Sequence, residues 1–433
     1  MAFPMLGGII ATMAFNAVDT FFVGRLGATE LAAMSFTFPV VMTMSAASIG
    51  LGAGTSSVIA RALGAGDTAR VRRLTTDALL LAIVVSVLLA FFGYLMIRPV
   101  FAALGASPEL IEMIARYMTI WYLSAPLLVV PMVAHGAIRA TGNTQVPMWI
   151  MIGGALLNGI LDPLLIFGVG PFPRLELEGA ALALLLARVA MCAVTIYLLA
   201  VHLKMLDLTR HSFAVVRRSW RAILHVGMPA AGTNMIIPLC TAVATAMLAT
   251  YGADVVAGFG VATRIESLAL VAFYALSAVI GPMLGQNLSV QQWPRLHAAL
   301  NSSAWFCAGF GLLVAIGLYF FGASFAAVFN ADPVIVEVAG RYLWLVPFSY
   351  GAAGMVMTAN AGFNGIGQPL PAVIVSLSRM GIVFLPLAWV MAQYMGYSGI
   401  FAAYACANLI CGVGAFLWLR RRINRVSLSG VAA

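Results

Sequence analysis

Two carboxylates interrupt otherwise apolar stretches of the sequence, and they are the first candidates for chemistry. Asp19 lies in the stretch Ala14–Gly27, and Asp162 lies in the stretch Asn158–Pro163. A charged side chain inside a membrane span costs about 2.5 kcal/mol or more unless it is paired, protonated or hydrated. An acid at such a place therefore indicates function, and we predict that these two carboxylates bind the coupling ion of a transporter.

Amide side chains accompany both acids. Asn16 precedes Asp19 by three residues and Asn158 precedes Asp162 by four, so each amide shares a helical face with its acid. Pro163 has no N–H, which leaves one backbone carbonyl free to turn towards an ion or water. Carboxylates, amides and carbonyls of this kind suit H⁺ or Na⁺. The other interpretation is that each aspartate only ties a helix end to a neighbouring helix.

The composition is that of an integral membrane protein. Of the 433 residues, 63% are hydrophobic and only 9% are charged, whereas soluble proteins carry roughly 25% charged residues. The mean hydropathy is +1.02. Apolar runs of about 20 residues recur along the chain, which predicts helices rather than a β-barrel. No small-residue cleavage site follows the first apolar run, so we expect no cleavable signal peptide.

Apolar segments predict twelve transmembrane helices in an all-α fold. Their ranges are 2–24, 32–60, 76–97, 114–138, 146–168, 179–203, 223–250, 256–284, 299–321, 338–361, 371–394 and 397–419. Arginine and lysine concentrate in alternate loops and after the last span, which makes both termini and the loop 204–222 cytoplasmic by the positive-inside rule. The net charge of +9 is thus a sign of topology in a bacterial inner membrane, not of a nucleic-acid partner.

An internal repeat with an offset of 225 residues predicts the domain organisation. It superposes Pro4 on Pro229, Gly27 on Gly252, Pro108 on Pro333, Tyr117 on Tyr342 and Gly142 on Gly367. We predict an N-lobe at 1–203 (helices 1–6), a cytoplasmic inter-lobe loop at 204–222, a C-lobe at 223–420 (helices 7–12) and a cytoplasmic tail at 421–433. Parallel repeats of this kind are expected to share a central substrate cavity.

The two acids are exceptions to the repeat. Asp19 falls on Ala244 and Asp162 falls near Leu387, which assigns the acid chemistry to the N-lobe. Both acids lie about five or six residues before the predicted outer end of their helix, or roughly 8–9 Å below the outer boundary. They can therefore share one pocket at one depth.

Six ordered motifs give the chain a resemblance to the MATE (multidrug and toxic compound extrusion) transporters of the MOP superfamily, nearest to the DinF-type branch. The motifs are Val18–Ala33, Ala60–Asp67, Ile138–Thr144, Asn158–Gly168, Gly179–Ala181 and Gly285–Asn287. The resemblance implies a two-lobe exporter that exchanges H⁺ or Na⁺ for bulky, often cationic drugs and confers antibiotic resistance. No other cofactor is expected, and we expect a monomer in the lipid bilayer.

The resemblance also implies roles for particular residues. The coupling acids of this branch lie in the N-lobe, which carries over onto Asp19, Asp162 and Asn158, with any Na⁺ held by the same three residues. A first-helix proline linked to helix bending corresponds to Pro4, about four turns before Asp19. Leu184 replaces a threonine usual in the family, which removes one possible cation ligand and favours H⁺ over Na⁺.

Further polar residues inside the predicted spans allow two interpretations. Tyr117 and Tyr122 are candidates for the acid site, although the recurrence of Tyr117 as Tyr342 favours a structural role. His135 is a candidate for a proton relay or a packing histidine. Four charged residues either line the substrate cavity or pair between helices and snorkel to the interface. They are Arg188, Arg264, Glu266 and Arg379.

Two other classes of function have less support in the sequence. A flippase for a lipid-linked saccharide or peptidoglycan precursor can share this fold, but it favours a strongly cationic cavity, and the sequence offers few deep arginines. An enzyme or receptor lacks support because the sequence contains no catalytic constellation. The glycine-rich stretch Leu63–Gly66 lacks the Lys-Ser/Thr of a phosphate loop, so it indicates no ATP site.

Overall fold

The computed structural model describes residues 2–207, 209 and 211–431. Leu208 and Arg210 of the predicted loop, Ala432 and Ala433 of the predicted tail, and Met1 lie outside the described residues. The described chain is helical almost throughout, as the hydropathy predicts. Its α-helices are α1 (Ala2–Gly24), α2 (Ala28–Gly64), α3 (Thr68–Leu95), α4 (Ile97–Ala103), α5 (Pro108–Leu123), α6 (Ala125–Ala140), α7 (Gln145–Phe167), α8 (Glu176–Tyr197), α9 (Phe213–Ala249), α10 (Ala253–Ala269), α11 (Val271–Ser289), α12 (Trp293–Phe329), α13 (Pro333–Leu345), α14 (Tyr350–Gly365), α15 (Pro369–Leu377), α16 (Leu385–Met395) and α17 (Tyr397–Val431).

The number of membrane spans is close to the prediction but not identical. Among the described residues, ten helices are long and apolar enough to cross a membrane, or eleven if α5 and α6 form one bent span. If α5 and α6 count as one span, one predicted span has no counterpart, and it is the span 338–361. It is divided into α13 and α14 by a 3₁₀ turn at Val346–Ser349, so neither piece has the length of a full span. The prediction of exactly twelve spans is therefore not confirmed.

Two of the helix breaks occur at the same position of the repeat. Ser124 separates α5 from α6, which are bent by 42°, and Ser349 ends the turn between α13 and α14. Each serine hydroxyl donates a hydrogen bond to the backbone carbonyl three residues earlier, at 2.7 Å to Trp121 and at 2.8 Å to Val346. Both serines are fully buried. The repeat thus preserves a local interruption as well as the sequence landmarks.

The chain divides into two compact units at Ala231 and Gly232, inside α9. One hydrophobic core occupies the first unit, where Gly52 of α2 and Gly136 of α6 bring two helix backbones together. Two smaller hydrophobic clusters occupy the second unit. Small residues allow such close approach, which is the usual basis of helix packing inside a membrane.

The segment between the predicted lobes is shorter in the structure than in the sequence prediction. Helix α9 begins at Phe213, and α17 continues to Val431 through the described part of the predicted tail. The Asp207 amide donates to Thr76 Oγ1, and the Trp220 indole N–H donates to the Asp77 carbonyl, each at 2.9 Å. Both bonds attach this segment to α3. Hydrogen bonds from Thr209 and His211 hold the pKa of Asp207 below its usual range.

A helix contact in the second unit predicts a specific stability loss. A Cβ on Gly365 of α14 would collide with the backbone carbonyl of Gly281 in α11. We expect Gly365→Ala to lower the free energy of unfolding by about 1–3 kcal/mol, because the two backbones must separate. Thermal unfolding of the purified protein measures the effect.

Gly317→Ala is the matched control, since a Cβ on Gly317 of α12 meets no atom within 4 Å. This variant should unfold at the wild-type temperature or slightly above it, because alanine has the higher helix propensity. Equal unfolding temperatures for the two variants would contradict the role given to the contact between Gly281 and Gly365.

Candidate functional site

Helix α7 holds the more deeply buried of the two predicted acids. The Asn158 Nδ2 atom donates to Asp162 Oδ2 at 2.7 Å, one helical turn along. Asp162 is 0% exposed and Asn158 is 1% exposed, yet the Oδ1 atom of each has no hydrogen-bond partner among the described residues. Pro163 also leaves the carbonyl of Gly159 without its helical donor. Unsatisfied buried acceptors are costly, so this turn presents oxygens suited to a cation or a proton.

Helix α1 holds Asp19, which is half-buried. This helix packs against α7 through Gly8, where a Cβ would lie 3.3 Å from the Met148 Cα atom. Asp19 and Asp162 lie close enough for direct charge–charge interaction. The two acids that the sequence singled out therefore share one cluster in the first unit.

An arginine and a tyrosine complete this cluster. Arg188 of α8 donates from Nη1 to the hydroxyl of Ser124, and its Cζ atom lies 5.2 Å from the centre of the Trp121 ring. Arg188 and the buried Tyr117 of α5 both lie within electrostatic range of Asp19. No ion pair joins Arg188 to either carboxylate in the described part of the chain. The arginine acts on Asp19 through its electrostatic field, while Ser124 and Trp121 fix its position.

Several predicted site residues lie away from these carboxylates. The Asn16 side chain is exposed and makes no hydrogen bond to Asp19 among the described residues, while its backbone carbonyl accepts from Thr20 at 2.8 Å. The Tyr122 ring lies against Gly93 of α3. His135 is buried on α6, within electrostatic range of Arg139, and its Nε2 atom has no hydrogen-bond partner among the described residues.

The remaining candidates have simpler positions. Pro4 lies in the first turn of α1, where a missing N–H costs no helical hydrogen bond. Leu184 of α8 is partly buried against the hydrophobic core of the first unit. Arg264 is exposed, whereas Glu266 and Arg379 are buried and pair between helices.

The sequence did not predict which residues hold the Arg188 side chain in place. Ser124 and Trp121 are ordinary residues of an apolar stretch, and only the helix break turns the serine hydroxyl into a partner for the guanidinium. Arg188 itself is identified in the sequence by the signal that identified Asp19, namely a charge in an apolar run. In the structure Arg188 pairs between helices and lies within electrostatic range of Asp19.

A multi-span helical protein with an internal repeat and buried acids belongs to the class of membrane transporters. The MatE family model matches residues 4–164 and again residues 229–390, so the second match begins 225 residues after the first. The chain belongs to this family. Its members are ion-coupled transporters of small organic molecules, which confirms that the chain is a transporter and not an enzyme.

Similar proteins extend over nearly the whole chain. A protein of Shewanella oneidensis named "FAD transporter" is 38% identical over 98% of this chain and 93% of its own length. The "Probable multidrug resistance protein YoeA" of Bacillus subtilis is 24% identical over 98% of this chain and 94% of its own length. Among solved structures, the Vibrio cholerae MATE transporter VcmN in its bent form has a TM-score of 0.94 and 30% identity, over 99% of this chain and 96% of VcmN.

The unpartnered oxygen of Asp162 predicts a trade-off between stability and function. We expect Asp162→Asn to raise the free energy of unfolding by about 1 kcal/mol, because it replaces a buried ionisable group with a neutral amide that can keep the hydrogen bond to Asn158. Thermal unfolding of the purified variant at neutral pH measures this change. Asp19→Asn serves as control and should change stability less, since Asp19 is only half-buried. A loss of several degrees in Asp162→Asn would instead show that the carboxylate holds a structural contact.

Proposed function

We propose that the protein is a secondary active exporter of bulky organic molecules, driven by exchange for H⁺ or Na⁺, with its coupling site at Asp19 and Asp162. The observation that carries the proposal is the buried turn at Asn158 and Asp162, which leaves two side-chain oxygens without a hydrogen-bond partner among the described residues and whose Asp162 carboxyl lies within electrostatic range of Asp19. Asn158 supplies an amide to the same site, and Asn16 is its more distant member. We favour H⁺ over Na⁺ because Leu184 offers no ligand where the resemblance led us to expect a threonine.

The proposed cycle follows from the cost of buried charge. A cation that reaches the pair from the outside lowers the repulsion between the two carboxylates and lets α1 approach α7. When the cation leaves, the repulsion returns and moves α1, whose other packing contacts are sparse: only Met5, Gly8 and Val23 are buried. Pro4 is the proposed hinge of this movement. Tyr117, Tyr122 and His135 are the residues proposed to line the substrate cavity or to relay protons.

The proposed setting is a bacterial inner membrane, where the protein acts as a monomer by alternating access, without nucleic acid. Both termini and the segment 204–222 would face the cytoplasm, consistent with the basic residues near them. We retain the lobes as residues 1–203 and 223–420, with the cytoplasmic tail at 421–433.

The coupling role of the acids predicts the effect of removing their charge. Asp19→Asn and Asp162→Asn should each lower gradient-driven efflux by at least about tenfold, because neither amide can exchange a proton. Proteoliposomes measure the efflux, first with a pH gradient and then with a Na⁺ gradient. The ion whose gradient drives wild-type efflux is the coupling ion.

Asp77→Asn is the matched control for that experiment. Asp77 is also buried in the first unit, but it lies on α3 and its backbone is held by Trp220. Efflux in this variant should stay within about twofold of wild type. Full coupled efflux in Asp19→Asn would remove that residue from the coupling site.

Two substrate classes follow from different observations. The family resemblance favours lipophilic, often cationic drugs, for which aromatic side chains and a carboxylate are suitable partners. The 38% identity over 98% of the chain to the Shewanella protein favours a flavin dinucleotide instead. The two classes differ in charge, since the diphosphate of a dinucleotide is anionic and calls for arginine or lysine donors.

A competition experiment separates the two substrate classes. Proteoliposomes carrying the wild-type protein are loaded with a fluorescent organic cation, with flavin adenine dinucleotide, or with both. If the protein exports drugs, the cation should leave under the coupling gradient and excess dinucleotide should not slow it. Efflux of the dinucleotide alone would assign the flavin substrate, and mutual competition would assign both classes to one site.

A further inference from the structure

The second unit also holds a buried acid, and the proposed coupling mechanism does not use it. Glu266 of α10 is only 7% exposed. The Tyr342 hydroxyl of α13 donates to Glu266 Oε2, and the Tyr404 hydroxyl of α17 donates to Oε1 at 3.3 Å. One carboxylate therefore connects three helices. Its two donors satisfy both oxygens, which distinguishes this acid from Asp162.

A chain of polar side chains continues from the same region. Arg379 donates from Nη1 to Asn408 Oδ1 at 3.2 Å, and Asn408 Nδ2 donates to the hydroxyl of Ser349 at 3.1 Å. Arg379, Asn408 and Ser349 are all buried. Arg379 lies within electrostatic range of Glu266. In the described part of the chain, no ion pair joins the two residues.

The titratable groups around Glu266 come from five other elements. Besides Tyr342 on α13 and Tyr404 on α17, they are Tyr274 on α11, Tyr350 on α14 and Arg379 in the π-helical segment Ser378–Phe384. The Tyr350 hydroxyl is buried and has no hydrogen-bond partner among the described residues. Glu266 is the one carboxylate of this group.

The two units build these clusters from the same repeat positions. Tyr117 and Tyr342 are equivalent, and each lies in electrostatic range of the buried acid of its own unit. Ser124 and Ser349 are equivalent as well. The first accepts a hydrogen bond from Arg188, and the second is linked to Arg379 through Asn408. The acids themselves come from helices that the repeat does not equate, since Glu266 falls on Val41 of α2 in the first unit.

We propose that Glu266, held by Tyr342 and Tyr404, is a second proton-binding site, located in the second unit and distinct from the pair Asp19 and Asp162. The proton comes from water and binds a carboxylate oxygen, which turns the anion into a neutral carboxylic acid, while both tyrosines keep their own protons. Hydrogen bonds to a carboxylate are roughly twice as strong as those between neutral groups. Protonation therefore weakens both tethers, from α13 and from α17, to α10.

Infrared spectroscopy tests the site without requiring transport. A protonated buried carboxylic acid gives a carbonyl band, separate from that of the carboxylate, which shifts on exchange into D₂O. The experiment uses the full chain carrying Asp19→Asn, Asp77→Asn and Asp162→Asn, in which Glu266 remains as the buried acid of the described residues. The titration runs from about pH 4 to about pH 9, which covers ordinary glutamates and strongly perturbed buried ones.

The expected result is a titrating carbonyl band in the difference spectrum between this variant and the same variant with Glu266→Gln added, in which the carboxylates common to both proteins cancel. If the combined variant does not fold, as judged by thermal unfolding, the difference spectrum between wild type and Glu266→Gln alone gives the same readout. A difference spectrum that contains no titrating carbonyl band overturns the proposal. Either outcome is independent of coupled efflux, so it leaves the role of Asp19 and Asp162 to its own test.

Substitutions of the tyrosines test whether Glu266 binds a proton or only connects helices. Tyr342→Phe and Tyr404→Phe should each move the midpoint of the titration to higher pH, because each removes a donor that stabilises the carboxylate. Tyr350→Phe is the matched control and should leave the midpoint in place, since that hydroxyl donates no hydrogen bond to Glu266. Equal midpoints in all three variants would overturn the assignment of Tyr342 and Tyr404.

Discussion

The free-energy cost of an acid inside an apolar helix bundle is the constraint on which the rest of this structure depends. A carboxylate with no water around it must find donors, hold a proton or lie near a cation. The first unit meets this demand incompletely, because Asp162 receives one amide donor and its other oxygen stays free. The second unit meets it more fully, because Glu266 receives two tyrosine donors. Our proposal therefore assigns the exchangeable ion to the incompletely satisfied acid, Asp162.

The helix breaks explain how ordinary residues come to support these charges. A continuous helix satisfies its own backbone and leaves a serine hydroxyl to bond locally. At Ser124 and Ser349 the helix is interrupted, and the hydroxyl also accepts a hydrogen bond from a side chain of another helix. The donor is Arg188 in the first unit and Asn408 in the second. A backbone irregularity at one repeated position thus fixes an arginine in each unit. The half-buried Arg188 is held directly by the serine, and the buried Arg379 is held through an amide.

Much of this organisation could be predicted from the sequence, because its signals are strong and local. Apolar runs predict helices, the offset of 225 predicts the two family matches, and Asp19 and Asp162 stand out as charges in lipid-like surroundings. The division of the span 338–361 could not be predicted, since Pro347 alone does not distinguish a kink from a full break. The contacts that Tyr122 and Glu266 make could not be predicted either. They depend on which helix faces which, and uniformly apolar helices carry almost no amphipathic signal to specify that.

The unequal distribution of acids bears on how a pseudo-symmetric transporter can move in a defined direction. Two identical halves with identical charges would respond to an ion in the same way, so binding alone could not distinguish them. Here the repeat supplies the same scaffold twice, with a tyrosine at 117 and 342 and a break at 124 and 349. The acids lie on helices that the repeat does not equate, namely α1 and α7 in the first unit and α10 in the second. If ions bind as proposed, their binding free energy differs between the units, and such a difference is what any ion-driven shift between conformations requires.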